Sequence, residues 1–205
     1  MDVLDAIRDR RTIGKIGDQL PPREVIEELL EAATWAPNHR VNEPWRFFVL
    51  AGDARVEFGK VMAEDQLRHM PQATPEQRQA IEQAQHAKAT RSPVIIVVAV
   101  DPPKGKDLDV ENIAAASAAI QNMLLVAHAR GLATKWSTGA PAVSDYVKEY
   151  FGLTPQHHLL AFIYLGYAAQ EHPRGRRTPH HQKTTWLGWP AETPAREPSL
   201  SAASA

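Results

Sequence analysis

The chain has 205 residues, enough for one domain with a sizeable core. Its 43% hydrophobic and 23% charged residues describe a folding chain, and 23 Lys plus Arg against 24 Asp plus Glu leave no global field to draw it onto nucleic acid or an anionic membrane. With no cysteine there is no disulfide, thiolate metal site, iron–sulfur ligand or cysteine nucleophile, so any redox chemistry has to come from a bound cofactor.

Val3, Leu4 and Ile7 recur at helical spacing and predict a short first helix that ends at Arg10-Arg11-Thr12, after which Gly14 and Gly17 loosen the chain. The acidic start Met1-Asp2-Val3-Leu4-Asp5 is unlike a basic, then apolar, signal peptide. No stretch reads as long and charge-free enough to span a bilayer, so a cytoplasmic protein is expected. Pro21-Pro22 opens a stronger helix, with Val25, Ile26, Leu29, Leu30 and Ala33 on one face, and Pro37 closes it. Trp45 to Leu50 is aromatic and β-branched and reads as a strand.

From Ala54 to about Arg91 the polar chain predicts two surface helices joined near Pro71, the second capped by Thr74-Pro75-Glu76-Gln77. Val94 to Val100 is apolar on both faces, as a central strand is. Ile113 to Arg130 predicts a long alanine-rich helix ended by Gly131. Its apolar circumference exceeds what a surface helix needs, so it is expected to be either central or packed on a second subunit, and a surplus that includes Ala116 and Ala119 is expected to face a second copy of the chain. Ala133 to Ser137 reads as a short strand, Ser144 as the cap of a helix reaching Phe151, and Leu159 to Leu165 as another two-sided apolar strand. That makes four strands and five or six helices. Residues 1–189 are expected to form a single domain, and the Pro, Ala and Ser of residues 190–205 a flexible tail.

The common nucleotide motifs fail here. No G-x-G-x-x-G follows a strand, Gly52 to Lys60 lacks P-loop spacing, and there is no G-x-S-x-G nucleophile elbow. The pairs His157-His158 and His180-His181 are adjacent residues whose side chains point apart, which disfavours a metal site. Arg10-Arg11-Thr12 is more informative, because two guanidinium forks and a hydroxyl at a helix end can make several charge-assisted bonds to one phosphate; a solvated basic helix end is the alternative. Arg174-Gly175-Arg176-Arg177 is a second basic cluster, and together the two suggest one anion site. Ala36 to Trp45 holds polar residues between Pro37 and Pro44 and feeds directly into the aromatic strand.

In this order, Arg10-Arg11-Thr12, Ala36-Pro37, Glu43-Pro44-Trp45-Arg46-Phe47-Phe48-Val49, the alanine-rich helix ending at Gly131, Trp136-Ser137-Thr138-Gly139-Ala140 and Phe162-Ile163-Tyr164-Leu165-Gly166 resemble the nitroreductase family over roughly residues 2–180. The resemblance implies an α+β fold: a central, mostly antiparallel sheet flanked by helices, with the long helix at a dimer interface. It implies a homodimer that shares FMN across that interface, takes a hydride from NAD(P)H onto flavin N5 and reduces a second substrate such as a nitroaromatic or a quinone.

By the same resemblance, Arg10, Arg11 and Thr12 hold the phosphate and ribityl chain from one subunit, while Trp35 and His39, with Glu43 near them, reach the flavin from the other. Trp136, Ser137, Thr138 and Gly139 lie along the isoalloxazine, and Arg177, with Arg176, closes on the phosphate. No protein acid or base is required, since the flavin carries the chemistry. Two departures stand out: Gly14 occupies a position where many members carry Lys or Arg, the nearest cation being Lys15, and Val41 stands where many carry Asn. The same fold also hosts dehalogenation, flavin cleavage and dehydrogenation, and a flavin-binding dimer without turnover is a further alternative.

Overall fold

The computed structural model describes residues 1–189, and the tail expected over 190–205 lies outside the described residues. The described residues divide into two compact units, Met1–Gly175 and a second that begins at Arg176. The first contains α1 (Val3–Asp9), α2 (Arg23–Thr34), β1 (Trp45–Ala51), α3 (Asp53–Arg68), α4 (Pro75–Thr90), β2 (Val94–Val100), α5 (Asp109–Ala129), β3 (Leu132–Ser137), α6 (Ala140–Val143), α7 (Asp145–Tyr150) and β4 (His158–Tyr167). In the second, a short 3-10 helix at His180–Lys183 precedes Trp186 and Trp189, whose rings are 5.4 Å apart.

The four strands form one antiparallel sheet in the order β1-β2-β4-β3, which gives the α+β architecture the sequence implied. Every residue of β2 is buried, and its alternation feeds two cores. Val94, Ile96, Val98 and Val100 meet Leu29 and Ala33 of α2 and Ala116, Ile120 and Met123 of α5. Ile95, Val97 and Ala99 meet Phe58 and Met62 of α3, Ala89 of α4 and Val147 of α7. Helices therefore cover both faces of the sheet. The α3–α4 pair is less of a surface feature than its polarity suggested: Phe58 and Met62 are buried, and a Cβ on Gly59 would stand 3.2 Å from Ala89 and from the His86 backbone, so the two helices pack closely there.

Three expectations need correction. Helix α5 starts at Asp109 rather than Ile113, because Asp109 and Glu111 form an acidic first turn that suits the positive end of a helix although it carries no apolar period. Ala116 and Ala119 do not face outward: both are 0% exposed within this chain's own core, and the outward side of α5 carries Val110, Ala114 and Gln121 instead. Contrary to the reading of the sequence, α5 is also long and apolar enough to cross a membrane by length and composition, but its packing against the sheet makes it a core helix here.

Candidate functional site

Arg10 caps the C-terminal end of α1 and leaves the helix with extended ψ, which turns Arg11 and Thr12 toward the sheet. Thr12 forms a parallel bridge with Thr134 of β3, and the Ile13 amide donates to the Thr134 carbonyl at 3.0 Å. Ile13 itself is fully buried. Farther along, Arg91 donates to the Gly14 carbonyl at 3.1 Å and the Gly17 amide to the Tyr167 carbonyl at 2.8 Å, so the segment after the two arginines is pinned on both sides.

Arg11 Nη1 donates to the Arg10 carbonyl at 2.7 Å, while its buried Nε has no hydrogen-bond partner among the described residues. Gly175 lies against the Arg11 guanidinium, where any Cβ would overlap it. An orphaned guanidinium donor beside a glycine backbone fits a phosphate monoester, whose oxygens are strong acceptors. Arg177 belongs to the second unit, where its Nη1 donates to the Arg176 carbonyl at 2.8 Å.

Three residues beyond Thr134, roughly 10 Å along the strand, β3 ends at Ser137. Trp136 is 37% exposed and steadied by its indole N–H, which donates to the Leu160 carbonyl at 3.3 Å. Thr138 and Gly139 follow, both exposed, and Gly139 at φ 108° makes a turn that a side chain would strain before α6 begins. The structure thus sets Arg10-Arg11-Thr12 and Trp136-Ser137-Thr138-Gly139 along one edge strand.

Trp35 and His39 lie elsewhere. Trp35 ends α2 and is 79% exposed. His39 opens a 3-10 turn, His39–Val41, and its Nδ1 meets the Glu111 carboxylate of α5 at 2.9 Å. A carboxylate only accepts, so the proton sits on Nδ1 and Nε2 is left for another partner. The Glu111 carboxyl is held below its usual range, first by the Leu108 amide and then by His39.

The loop itself is strained. Arg40, Val41 and Glu43 all have left-handed backbone, with φ of 52°, 56° and 44°. Asn side chains hold it: Asn38 accepts from the Glu43 amide at 3.0 Å and donates to the Ala36 carbonyl at 3.1 Å, and Asn42 donates to Asn112 at 2.7 Å. Asn112 is buried and donates in turn to the Asp101 carbonyl.

His128, in the last turn of α5, feels the charges of Arg10 and Arg11. Glu111 and His128 are 17 positions apart, roughly 26 Å of helix axis, so one chain places His39 and the arginine pair at opposite ends of α5. Glu111, Asn112 and His128 were not picked out from the sequence. The acidic first turn of α5 could have revealed the first two; the last carries no local signal.

Residues 7–167 match the family model described as the Nitroreductase family. Over 194 residues the chain is 29% identical to "Putative NAD(P)H nitroreductase YdjA" of Escherichia coli (strain K12), spanning 95% of this chain and 97% of that one. Among solved structures it is similar to a nitroreductase-like family protein from Bacillus cereus, with a TM-score of 0.81 and 27% identity over 92% of this chain and 97% of the other. It is also similar to a protein of Desulfovibrio desulfuricans described as a nitroreductase in complex with FMN, with a TM-score of 0.71 and 28% identity over 92% and 98% of the two chains.

Proposed function

The chain belongs to the nitroreductase family, and on that premise we propose that it is a cytoplasmic, homodimeric oxidoreductase that uses FMN and NAD(P)H to reduce a second small molecule such as a nitroaromatic or a quinone. The observation that carries this reading is the alignment of Arg10-Arg11-Thr12 with Trp136 to Gly139 along β3, with the unpartnered Nε of Arg11 at one end. When bound, FMN supplies the hydride acceptor and the onward electron donor.

The chain's own residues bind and orient. The guanidiniums of Arg10 and Arg11 and the Thr12 hydroxyl hold a phosphate by charge-assisted hydrogen bonds. Ser137, Thr138 and Gly139 would face the polar edge of the ring system, and Trp136 would shield it from water. Trp35, His39 and Glu43 act from the second subunit. The span of α5 between His39 and the arginine pair supports that division, because a single FMN anchored at Arg10 is shorter than the helix it would have to follow.

The apolar side chains that α1 leaves uncovered, Val3, Leu4 and Ile7, and the exposed Val110 of α5 support a second copy packed against them. The visible spectrum of the purified protein tests the cofactor: the absorption bands of oxidised flavin are expected, bleaching with NADH or NADPH and returning with a nitroaromatic or quinone. A colourless protein that gains no flavin on incubation with FMN overturns the reading.

A further inference from the structure

We propose that His128, with His172 beside it, completes the phosphate end of this site and takes up one proton when a phosphate monoester binds there. The proposal rests on the reading of Arg10-Arg11-Thr12 given above. His128 stands in the last turn of α5, half-buried, and its ring centre is 5.7 Å from that of His172, which lies on the exposed segment after β4. Its Nε2 is buried and has no hydrogen-bond partner among the described residues, as is true of Arg11 Nε. Helix α1, which ends at Arg10, touches α5, and the charges of Arg10 and Arg11 reach His128; buried ring and guanidine nitrogens left unsatisfied there are costly unless a partner joins them.

The groups facing His128 decide its protonation. Burial, then His172, Arg10 and Arg11 all push its proton affinity down, and Asp9 of α1 acts against them. Without an anion the imidazole is therefore neutral near neutral pH. A phosphate dianion reverses the balance: it offsets the two guanidiniums and offers an oxygen to Nε2, while the C-terminal end of α5 also favours a cation there. The balance is simple. One proton moves from solvent to the imidazole, which then donates Nε2–H to a phosphate oxygen, and no covalent bond forms or breaks.

Binding that takes up a proton weakens as pH rises between the group's unbound and bound pKa values, by up to about tenfold per pH unit. The test titrates apoprotein with FMN and with riboflavin, which lacks the phosphate, from about pH 6 to about pH 8, in the parent, His128→Gln and His172→Gln. Calorimetry in buffers of different ionisation enthalpy counts the protons. The parent is expected to prefer FMN over riboflavin, to lose several-fold of that preference across the range, and to take up protons with FMN alone. His128→Gln should flatten the profile and abolish the uptake, and His172→Gln should do so in part.

If the parent prefers FMN but has the same pH profile and proton count as His128→Gln, the inference is overturned and the phosphate assignment stands. If the parent does not prefer FMN to riboflavin, both fall. Should His128→Gln fail to fold, proton NMR of the parent decides: the His128 imidazole must titrate at higher pH with FMN than with riboflavin, and equal titration overturns the proposal.

Discussion

His39 and Glu111 are joined at 2.9 Å through Nδ1 and a carboxylate oxygen, tying the strained turn after α2 to the first turn of α5. Both side chains are about one-third exposed, so the pair serves to fix the imidazole more than to stabilise the fold. Glu111→Gln should release the ring and weaken FMN binding several-fold, and His39→Gln should do the same. The double variant should lose little more than either single one, as a flavin titration of all three would show. The pH dependence has a definite sign. Because the folded-state Glu111 carboxyl lies below its ordinary value, its stabilisation is present above that ordinary value, about 4.3, and is lost as pH falls through the lower folded value. The difference in melting temperature between the parent and Glu111→Gln should therefore shrink on acidification.

Arg11→Ala removes a guanidinium whose Nε has no partner among the described residues, so the loss should fall on the ligand rather than on the fold. A charge-assisted hydrogen bond is worth roughly 1.5–3 kcal/mol, which corresponds to a tenfold or greater loss of FMN affinity at a nearly unchanged apoprotein melting temperature. Arg11→Lys should rescue only in part, because an ammonium cannot copy the fork. Retention of FMN at parental strength in both Arg10→Ala and Arg11→Ala would end the phosphate assignment.

Where pattern and local chemistry agree, the sequence was a sufficient guide. The two-sided apolar run of Val94 to Val100 is the buried central strand, and Thr74 with Gln77 makes the reciprocal cap of α4. The site was legible in pieces. Arg10, Arg11 and Thr12 sit beside β3, but that juxtaposition depends on a bridge to Thr134 that no local pattern encodes. Ala116 and Ala119 were misplaced because an all-apolar helix does not announce which side meets its own sheet. The polar links Asn42–Asn112 and His39–Glu111 each join residues about 70 positions apart, and such pairs leave no periodic trace.

Val41 has φ of 56°, a conformation that a β-branched side chain resists, and at 78% exposed it has little buried area to offset that strain. Val41→Asn and Val41→Gly should each stabilise the protein by about 1 kcal/mol, a rise of a few degrees in melting temperature. Val41→Ile should bring no gain. A lower melting temperature for both Asn and Gly would mean that the valine side chain has a contact that offsets the strain.

Gly14 has room for a larger side chain: a Cβ there meets nothing within 4 Å, and its φ is not left-handed. Gly14→Lys should therefore fold like the parent. If the flavin ring lies as proposed, a cation at this position stabilises the negative charge of the reduced form. Potentiometric titration should show a higher midpoint potential for Gly14→Lys than for Gly14→Ala, and equal potentials would place the ring elsewhere.

The last prediction separates two alanines of α5 that lie two positions apart. Ala116 is fully buried against this chain's own sheet, so Ala116→Glu places an unpaired charge in the core and should cost several kcal/mol, giving an unfolded or aggregated protein. Ala114 is exposed in the single chain, and Ala114→Glu should leave that chain folded. If α5 packs on its copy, the new carboxylate is buried only in the dimer, and the variant should elute as a folded monomer. Because Arg10-Arg11-Thr12 and His39 stand at opposite ends of α5, that monomer offers a flavin only part of its contacts and should carry none through the column. Size-exclusion chromatography with simultaneous detection of protein and flavin absorbance, alongside circular dichroism, distinguishes the outcomes. A folded Ala114→Glu monomer with stoichiometric FMN would remove Trp35 and His39 from the proposed site, and an unchanged dimer would place the interface on another surface.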